Sequence, residues 1–150
     1  MIALRPAFEA RIEVGKVREV GATAKGVRKF IPILGGTFSG PGMEGVILPG
    51  GADWQLVRPD GVAEIEAHYT MMTNDGVSIY IVNKGYRHGP PDVMEKLARG
   101  EDVAPDQYYF RTTPRFEVAR GKYDWLARSV FVGTGQRRKD QVLIKFFMCE

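Results

Sequence analysis

The sequence has little that could support covalent cross-links, metal binding or nucleophilic catalysis. Its 150 residues include one cysteine and two histidines. The single cysteine, Cys149, excludes an internal disulfide and a CxxC pair of the metal-binding or redox type. The few serines lie outside any G-x-S-x-G nucleophile elbow, so covalent hydrolysis is not predicted. We therefore expect no metal and no cofactor.

Long apolar runs and a strong charge of one sign are also missing. No window approaches the roughly 18 consecutive apolar residues of a membrane-spanning helix, so we expect a cytoplasmic protein without a membrane partner. The 21 Lys and Arg residues against 18 Asp and Glu leave a net charge of only +3. The densest basic run, residues 137–139, lies in a predicted hairpin loop. No basic face for nucleic acid is predicted.

Alternation of apolar and polar residues dominates the chain. Phe8, Ala10, Ile12 and Val14 alternate with charged residues, and similar short segments are bounded by Gly, Pro, Asn and Asp. A period of two indicates antiparallel strands. About eight to ten such strands without a βαβ rhythm predict an all-β fold, either a barrel or a sandwich. Abundant glycine within the strands favours a closed antiparallel β-barrel in a single domain over residues 1–150.

One stretch departs from this alternation. Residues 91–99 begin with proline and an acidic residue, place apolar residues at helical spacing, and end before Gly100. These features predict a short amphipathic helix. Because the helix is isolated in a β chain, we hypothesise that it acts as a lid over one mouth of the barrel.

The hairpin over residues 62–84 offers two registers around Asn74-Asp75-Gly76. A two-residue loop would mix apolar and charged side chains on both faces. A three-residue loop pairs Tyr69 with Ile81 and gives one apolar face. We therefore predict the three-residue loop. The other face is then mixed, and it carries Glu66, His68, Thr70, Met72, Ser78, Tyr80 and Val82.

The direction of the mixed face decides whether it has a function. If it points outward, it is an ordinary solvated surface of a one-sided sheet. If it points into the barrel, it is a ligand lining in which apolar walls raise the pKa of Glu66, making Glu66 a plausible general acid or base.

Several motifs resemble a known family. They are GGADWQ at residues 50–55, YYFRTTPRFE at residues 108–117, and the segment from Trp125 to Gly133. On these motifs the chain resembles the bacterial family of unknown function numbered 3237 among the DUF families, also called UPF 0311. The resemblance runs from about residue 6 to the C-terminus. It implies a small antiparallel barrel, lipocalin-like in general shape, and it implies no established activity.

Three functional hypotheses remain open. The first is a barrel whose interior binds a small apolar or aromatic anionic molecule, and the second is a cofactor-free acid/base enzyme (isomerase, cyclase or hydratase) in the same barrel. The third is a non-catalytic oligomeric scaffold with a filled barrel, and a homodimer or higher homo-oligomer is compatible with all three. Under the first two hypotheses the proton-transfer candidates are Glu66, Asp53 and His68. Arg111 is expected to anchor the anion through its planar guanidinium group. The expected ligand walls are Trp54, Tyr80 and Met72.

Overall fold

The computed structural model describes residues 1–150 and is built from ten β-strands, one α-helix and two short 3-10 helices. The 3-10 helices cover Pro105–Gln107 and Asp124–Arg128, and the helix α1 covers Pro91–Ala98. The strands are β1 Leu4–Val14, β2 Arg18–Thr23, β3 Gly26–Gly40, β4 Met43–Ile47, β5 Gly51–Val57, β6 Ala63–Thr73, β7 Ser78–His88, β8 Tyr109–Val118, β9 Phe131–Arg137 and β10 Gln141–Cys149.

The strands form one antiparallel sheet that closes on itself. Its order is β1-β10-β9-β8-β7-β6-β4-β3-β2, and an additional pairing of β1 with β3 joins the two sides. Strands β4 and β5 both fill the space between β3 and β6, which gives a closed barrel of eight strands. The predicted closed antiparallel barrel is confirmed. Closure leaves only β2, which pairs with β3 alone, as a free edge.

The hairpin of β6 and β7 has the predicted register. Tyr69 pairs with Ile81, the Thr73 amide donates to the Val77 carbonyl at 2.9 Å, and Gly76 closes the three-residue loop with φ of +86°. On β6 every second residue from Ala63 to Thr73 is buried. The apolar face of the hairpin therefore points into the barrel, because that orientation removes its side chains from water.

The interior holds two apolar clusters at opposite ends of the barrel. At the end near the β6–β7 loop, phenylalanine rings pack together, with Phe8 stacked on Phe146 at 4.5 Å between ring centres and Phe116 edge-on to Phe131 at 5.1 Å. The 3-10 helix Asp124–Arg128 closes this end through buried Leu126. These rings make this part of the barrel a packed core.

Helix α1 covers the other end of the barrel. Its buried residues Val93 and Leu97 pack in a cluster with Ile65 of β6 and Phe110 of β8. The helix ends at Ala98, and Gly100 with φ of +79° turns the chain away from it. The predicted helix is confirmed to within one residue. None of the helices has the length and apolar character needed to cross a bilayer.

Gly36 is the position where glycine is required for closure. It lies in β3 between β1 and β4, with φ of +139°, and an added Cβ would collide with the carbonyl oxygen of Arg11. Both the positive φ and the close approach of β1 exclude a larger residue.

We therefore expect Gly36→Ala to lower the free energy of unfolding by about 2 kcal/mol or more. Urea denaturation measures the change. Gly42→Ala is the matched control, because Gly42 is in the β3–β4 turn with no atom near its missing Cβ. It should change the free energy by less than about 0.5 kcal/mol. Equal losses in the two variants would show that closure does not depend on Gly36.

Candidate functional site

The mixed face of the β6–β7 hairpin lies on the outside of the barrel. The side chains of Glu66 and His68 are 45% and 38% exposed, and Tyr80 and Met72 lie on the same outer face. Of the two orientations that the sequence left open, the structure has the outward one, and these residues do not line the lumen. The opposite face is almost wholly apolar, and its burial decides the orientation.

The outer residues form a small surface network. His68 Nε2 lies 2.9 Å from Glu66 Oε2, and its Nδ1 lies 3.1 Å from the Tyr80 hydroxyl. Lys84 adds an ion pair to Glu66 at 3.6 Å. The hydrogen bond from His68 lowers the pKa of Glu66, and the charge of Lys84 adds to this effect. The raised pKa of Glu66 was expected only for an inward-facing side chain, and on the outer face this carboxylate is instead a weak base.

The two remaining wall and anchor candidates also face outward. Trp54 is 43% exposed and stacks on Phe30 with 4.7 Å between ring centres. The exposed Arg111 bonds to the carbonyl of Phe110 at 2.9 Å and lies over the ring of Tyr109. Both residues alternate with inward neighbours on their strands. Their expected place inside the barrel is wrong as well.

Asp53 is the one candidate that faces the interior. Its carboxylate accepts a hydrogen bond from Gln55 Nε2 at 2.7 Å on Oδ2 and one from the Glu66 amide at 3.2 Å on Oδ1. Gln55 is itself fixed by Arg87, whose Nη2 donates to Gln55 Oε1 at 3.2 Å. Burial raises the pKa of Asp53, against the opposing effect of the Gln55 hydrogen bond and the Arg87 charge. The result is a partly buried, oriented carboxylate that is more basic than a free one.

A small cavity of about 30 Å³ lies next to this carboxylate. Asp53, Tyr69 and Asn83 are among its lining residues, and the other walls are apolar. The Tyr69 hydroxyl and both amide atoms of Asn83 are buried without a hydrogen-bond partner. We call this space the inner cavity. Its volume is about that of one water molecule and roughly a tenth of an ordinary small-ligand site, so most of the barrel interior is filled.

Three cations point inward at the end of the barrel beneath α1. Lys29, Arg87 and Arg137 continue the inward-facing rows of β3, β7 and β9. We call them the cationic end. Repulsion from Arg87 adds to burial in lowering the pKa of Lys29 and of Arg137. Asp53 is the buried carboxylate that offsets these charges, helped by the exposed Glu19 and Asp140.

The guanidinium groups of the cationic end are incompletely bonded. Arg87 Nε and Arg137 Nη1 are buried without an acceptor. Arg87 lies over the ring of Phe110 at 5.5 Å, which connects the cationic end to the inner cavity that Phe110 also lines. Buried guanidinium donors bind carboxylate or phosphate oxygens well, so this end has the chemistry of an anion site.

The side chains that form this site were missed by sequence reasoning, apart from Asp53. The signal was present on β7, since Asn83 and Arg87 share the alternation of Ile79 and Ile81 and are therefore polar residues on an apolar face. Lys29 likewise shares the alternation of Val27, Ile31 and Ile33 on β3, whereas Arg137 follows two glycines in its row and gave no comparable signal. No group of three His, Cys, Asp or Glu side chains lies close enough together to hold a metal ion.

The chain is similar to proteins and structures from several bacteria. The family described as "Protein of unknown function (DUF3237)" matches residues 2–149, which confirms the resemblance found in the sequence. A UPF0311 protein of Rhodopseudomonas palustris is 45% identical over 137 residues, covering 91% of this chain and 90% of the relative.

Two solved structures have the same fold. The crystal structure of a conserved protein of unknown function from Rhodopseudomonas palustris has a TM-score of 0.98 at 41% identity and covers 100% of this chain and 99% of that one. A β-barrel-like protein from Acinetobacter baumannii has a TM-score of 0.87, also at 41% identity, with coverage of 100% and 97%. These similarities support the fold and do not assign an activity.

The raised pKa of Asp53 predicts a specific pH dependence of stability. A carboxyl group with a raised pKa in the folded state stabilises the fold at low pH, and that contribution is lost as the pH rises from about 3.8 through the raised value. The stability of Asp53→Asn relative to the parent should therefore increase over this range and level off above it.

Urea denaturation at several pH values measures this difference, and Asp60→Asn is its control. The Arg58 hydrogen bond lowers the pKa of the exposed Asp60 to about 2. Its contribution is therefore gained as the pH rises from about 2 to 3.8, and Asp60→Asn should lose stability relative to the parent. If the stability difference between variant and parent changed in the same direction with pH for both variants, the burial of Asp53 would be contradicted.

Proposed function

The chain belongs to the DUF3237 family of proteins of unknown function, and we propose that its barrel binds a small anionic organic molecule at the cationic end. The proposal rests on two buried guanidinium nitrogens without an acceptor, Nε of Arg87 and Nη1 of Arg137. An anionic group placed between them would accept both hydrogen bonds and offset the excess positive charge.

The anchoring cations differ from the one expected from the sequence. Arg111 is exposed on the outer face, bonded to a neighbouring carbonyl, whereas Arg87 and Arg137 lie inside beside apolar walls. An ion pair gains more from a site of low dielectric constant than from a surface in water. The proposed anchors are therefore Arg87 and Arg137, with Lys29 beside them.

The organic part of the ligand would lie between the inner cavity and α1. Because the inner cavity has room for about one water, an organic molecule needs the covered end of the barrel to open. Helix α1 has only two buried residues, Val93 and Leu97. Because this apolar contact is small, displacing α1 costs less free energy than displacing any other part of this end.

A non-catalytic scaffold is the second candidate function. The observation that favours it is the nearly filled interior, since the enclosed volume is far below that of an ordinary ligand site. Under this hypothesis the inner cavity holds only water. Native mass spectrometry of the freshly purified protein separates the two candidates, because a co-purifying anion supports the binding function and the same spectrum counts subunits.

Benzoate is a suitable probe for the cationic end. It should raise the melting temperature of the parent protein, since a ligand at 100 times its Kd stabilises the fold by about 2.7 kcal/mol. Arg137→Gln should abolish most of this shift, because it removes one guanidinium from the site. Differential scanning calorimetry measures both.

The controls test charge and position. Benzyl alcohol, which is neutral, should give no shift, and Arg111→Gln should retain the full benzoate effect because Arg111 lies outside the barrel. If benzoate gives no shift in the parent, or the same shift in both arginine variants, the cationic end is not an anion site and the scaffold is favoured.

Opening at α1 can be tested with a matched pair of leucine variants. Leu97→Ala loosens α1 and should increase the association rate of benzoate at least several-fold. Leu126→Ala, at the opposite end of the barrel, should leave it unchanged although both substitutions destabilise the fold by about 2–5 kcal/mol. NMR line-shape analysis measures the rates. Equal rates in the two variants would place the entrance elsewhere.

A further inference from the structure

We propose that the inner cavity is a proton-transfer site, in which Asp53 is the base and the Tyr69 hydroxyl and the Asn83 amide donate hydrogen bonds to a carbonyl oxygen of the substrate. This inference rests on the proposed binding function, because the anionic group of the substrate would be held at the cationic end. The substrate class is a carbonyl compound that carries a separate carboxylate, such as an oxo acid.

The Asp53 carboxylate is held in a fixed orientation. Each of its oxygens already accepts one hydrogen bond, from Gln55 Nε2 on Oδ2 and from the Glu66 amide on Oδ1. A carboxylate oxygen can accept a second bond, so each retains capacity for a proton. Arg87 fixes Gln55 in turn, which makes Gln55 a positioning residue linking the base to the cationic end.

Two hydrogen-bond donors beside Asp53 have no acceptor. The Tyr69 hydroxyl and the Asn83 Nδ2 atom are buried and unpartnered, and both residues line the inner cavity with Asp53. Tyr69 is 2% exposed and Asn83 1% exposed. Buried polar groups without partners are rare in folded proteins and call for an explanation. A substrate oxygen placed between them would satisfy both donors.

The surroundings favour charge development at this oxygen. The remaining walls are mostly apolar side chains, including Ile12, Ile31 and Ile65. Fixed donors act more strongly on a developing oxyanion when water is excluded. Burial also raises the pKa of Tyr69, so that its hydroxyl stays protonated and remains a donor across the neutral pH range.

The reaction is balanced without a co-reactant. A proton on the carbon next to the carbonyl moves to Asp53, and the electron pair of the broken C–H bond forms a C=C bond while the carbonyl becomes an enolate. Tyr69 and Asn83 bond to the enolate oxygen. Asp53 then returns the proton, either to the same carbon, which exchanges it with solvent, or to another carbon, which isomerises the substrate.

The test follows hydrogen exchange in D₂O by proton NMR. The probes are levulinate and phenylpyruvate, each of which combines a carbonyl group, an adjacent C–H bond and a carboxylate. The parent protein should accelerate exchange at the carbon next to the carbonyl. Asp53→Asn should lower the enzymatic rate at least about 100-fold, and Tyr69→Phe about 100- to 1,000-fold.

The controls separate this inference from the binding function. Asp60→Asn makes the same chemical change on an exposed turn and should keep the parental rate. Benzoate binding by Asp53→Asn, followed by calorimetry, reports whether that variant folds and binds. If the parent protein binds benzoate but does not accelerate hydrogen exchange of either probe over the rate in buffer, the proton-transfer site is wrong and the anion site is retained. If the parent protein also fails to bind benzoate, both the anion site and the proton-transfer site are wrong.

Discussion

Burial of one face of the barrel strands is the constraint on which the rest of the molecule depends. In β6 and β7 the apolar face enters the barrel, and the charged face that includes Glu66 and His68 stays in water. Any polar side chain that shares the buried face is carried inside with it. Asn83 and Arg87 are in the interior for this reason, and they remain there at a cost in desolvation.

That cost gives the interior its chemical character. A buried guanidinium needs acceptors, and Arg87 has one at Gln55 while its Nε has none. The Asp53–Gln55–Arg87 chain satisfies part of the demand and also fixes the direction of each group. What is left unsatisfied lies on both sides of this chain, as donors in the inner cavity and cations beneath α1. The binding and proton-transfer proposals are two consequences of the same incomplete network.

The two ends of the barrel differ in how tightly they are held. At one end phenylalanine rings and Leu126 form a continuous core, and at the other α1 covers the cationic end with two buried side chains. Buried apolar side chains are concentrated at the aromatic end, and buried polar groups are concentrated at the end covered by α1. Under the proposed binding function, this separation would let the covered end open without loss of the barrel.

The sequence by itself determined the local features: the alternation, the three-residue loop of the β6–β7 hairpin, helix α1 and the closed antiparallel barrel. Its motifs also pointed to the family. Asp53 was found because it belongs to one of these motifs, whereas the expected roles for Glu66 and Arg111 depended on a choice of face that alternation alone leaves open. Tertiary structure decided that choice by burying the more apolar face. It also decided that Lys29, Arg87 and Arg137 meet, since they come from three separate strands whose inward rows converge only when the sheet closes.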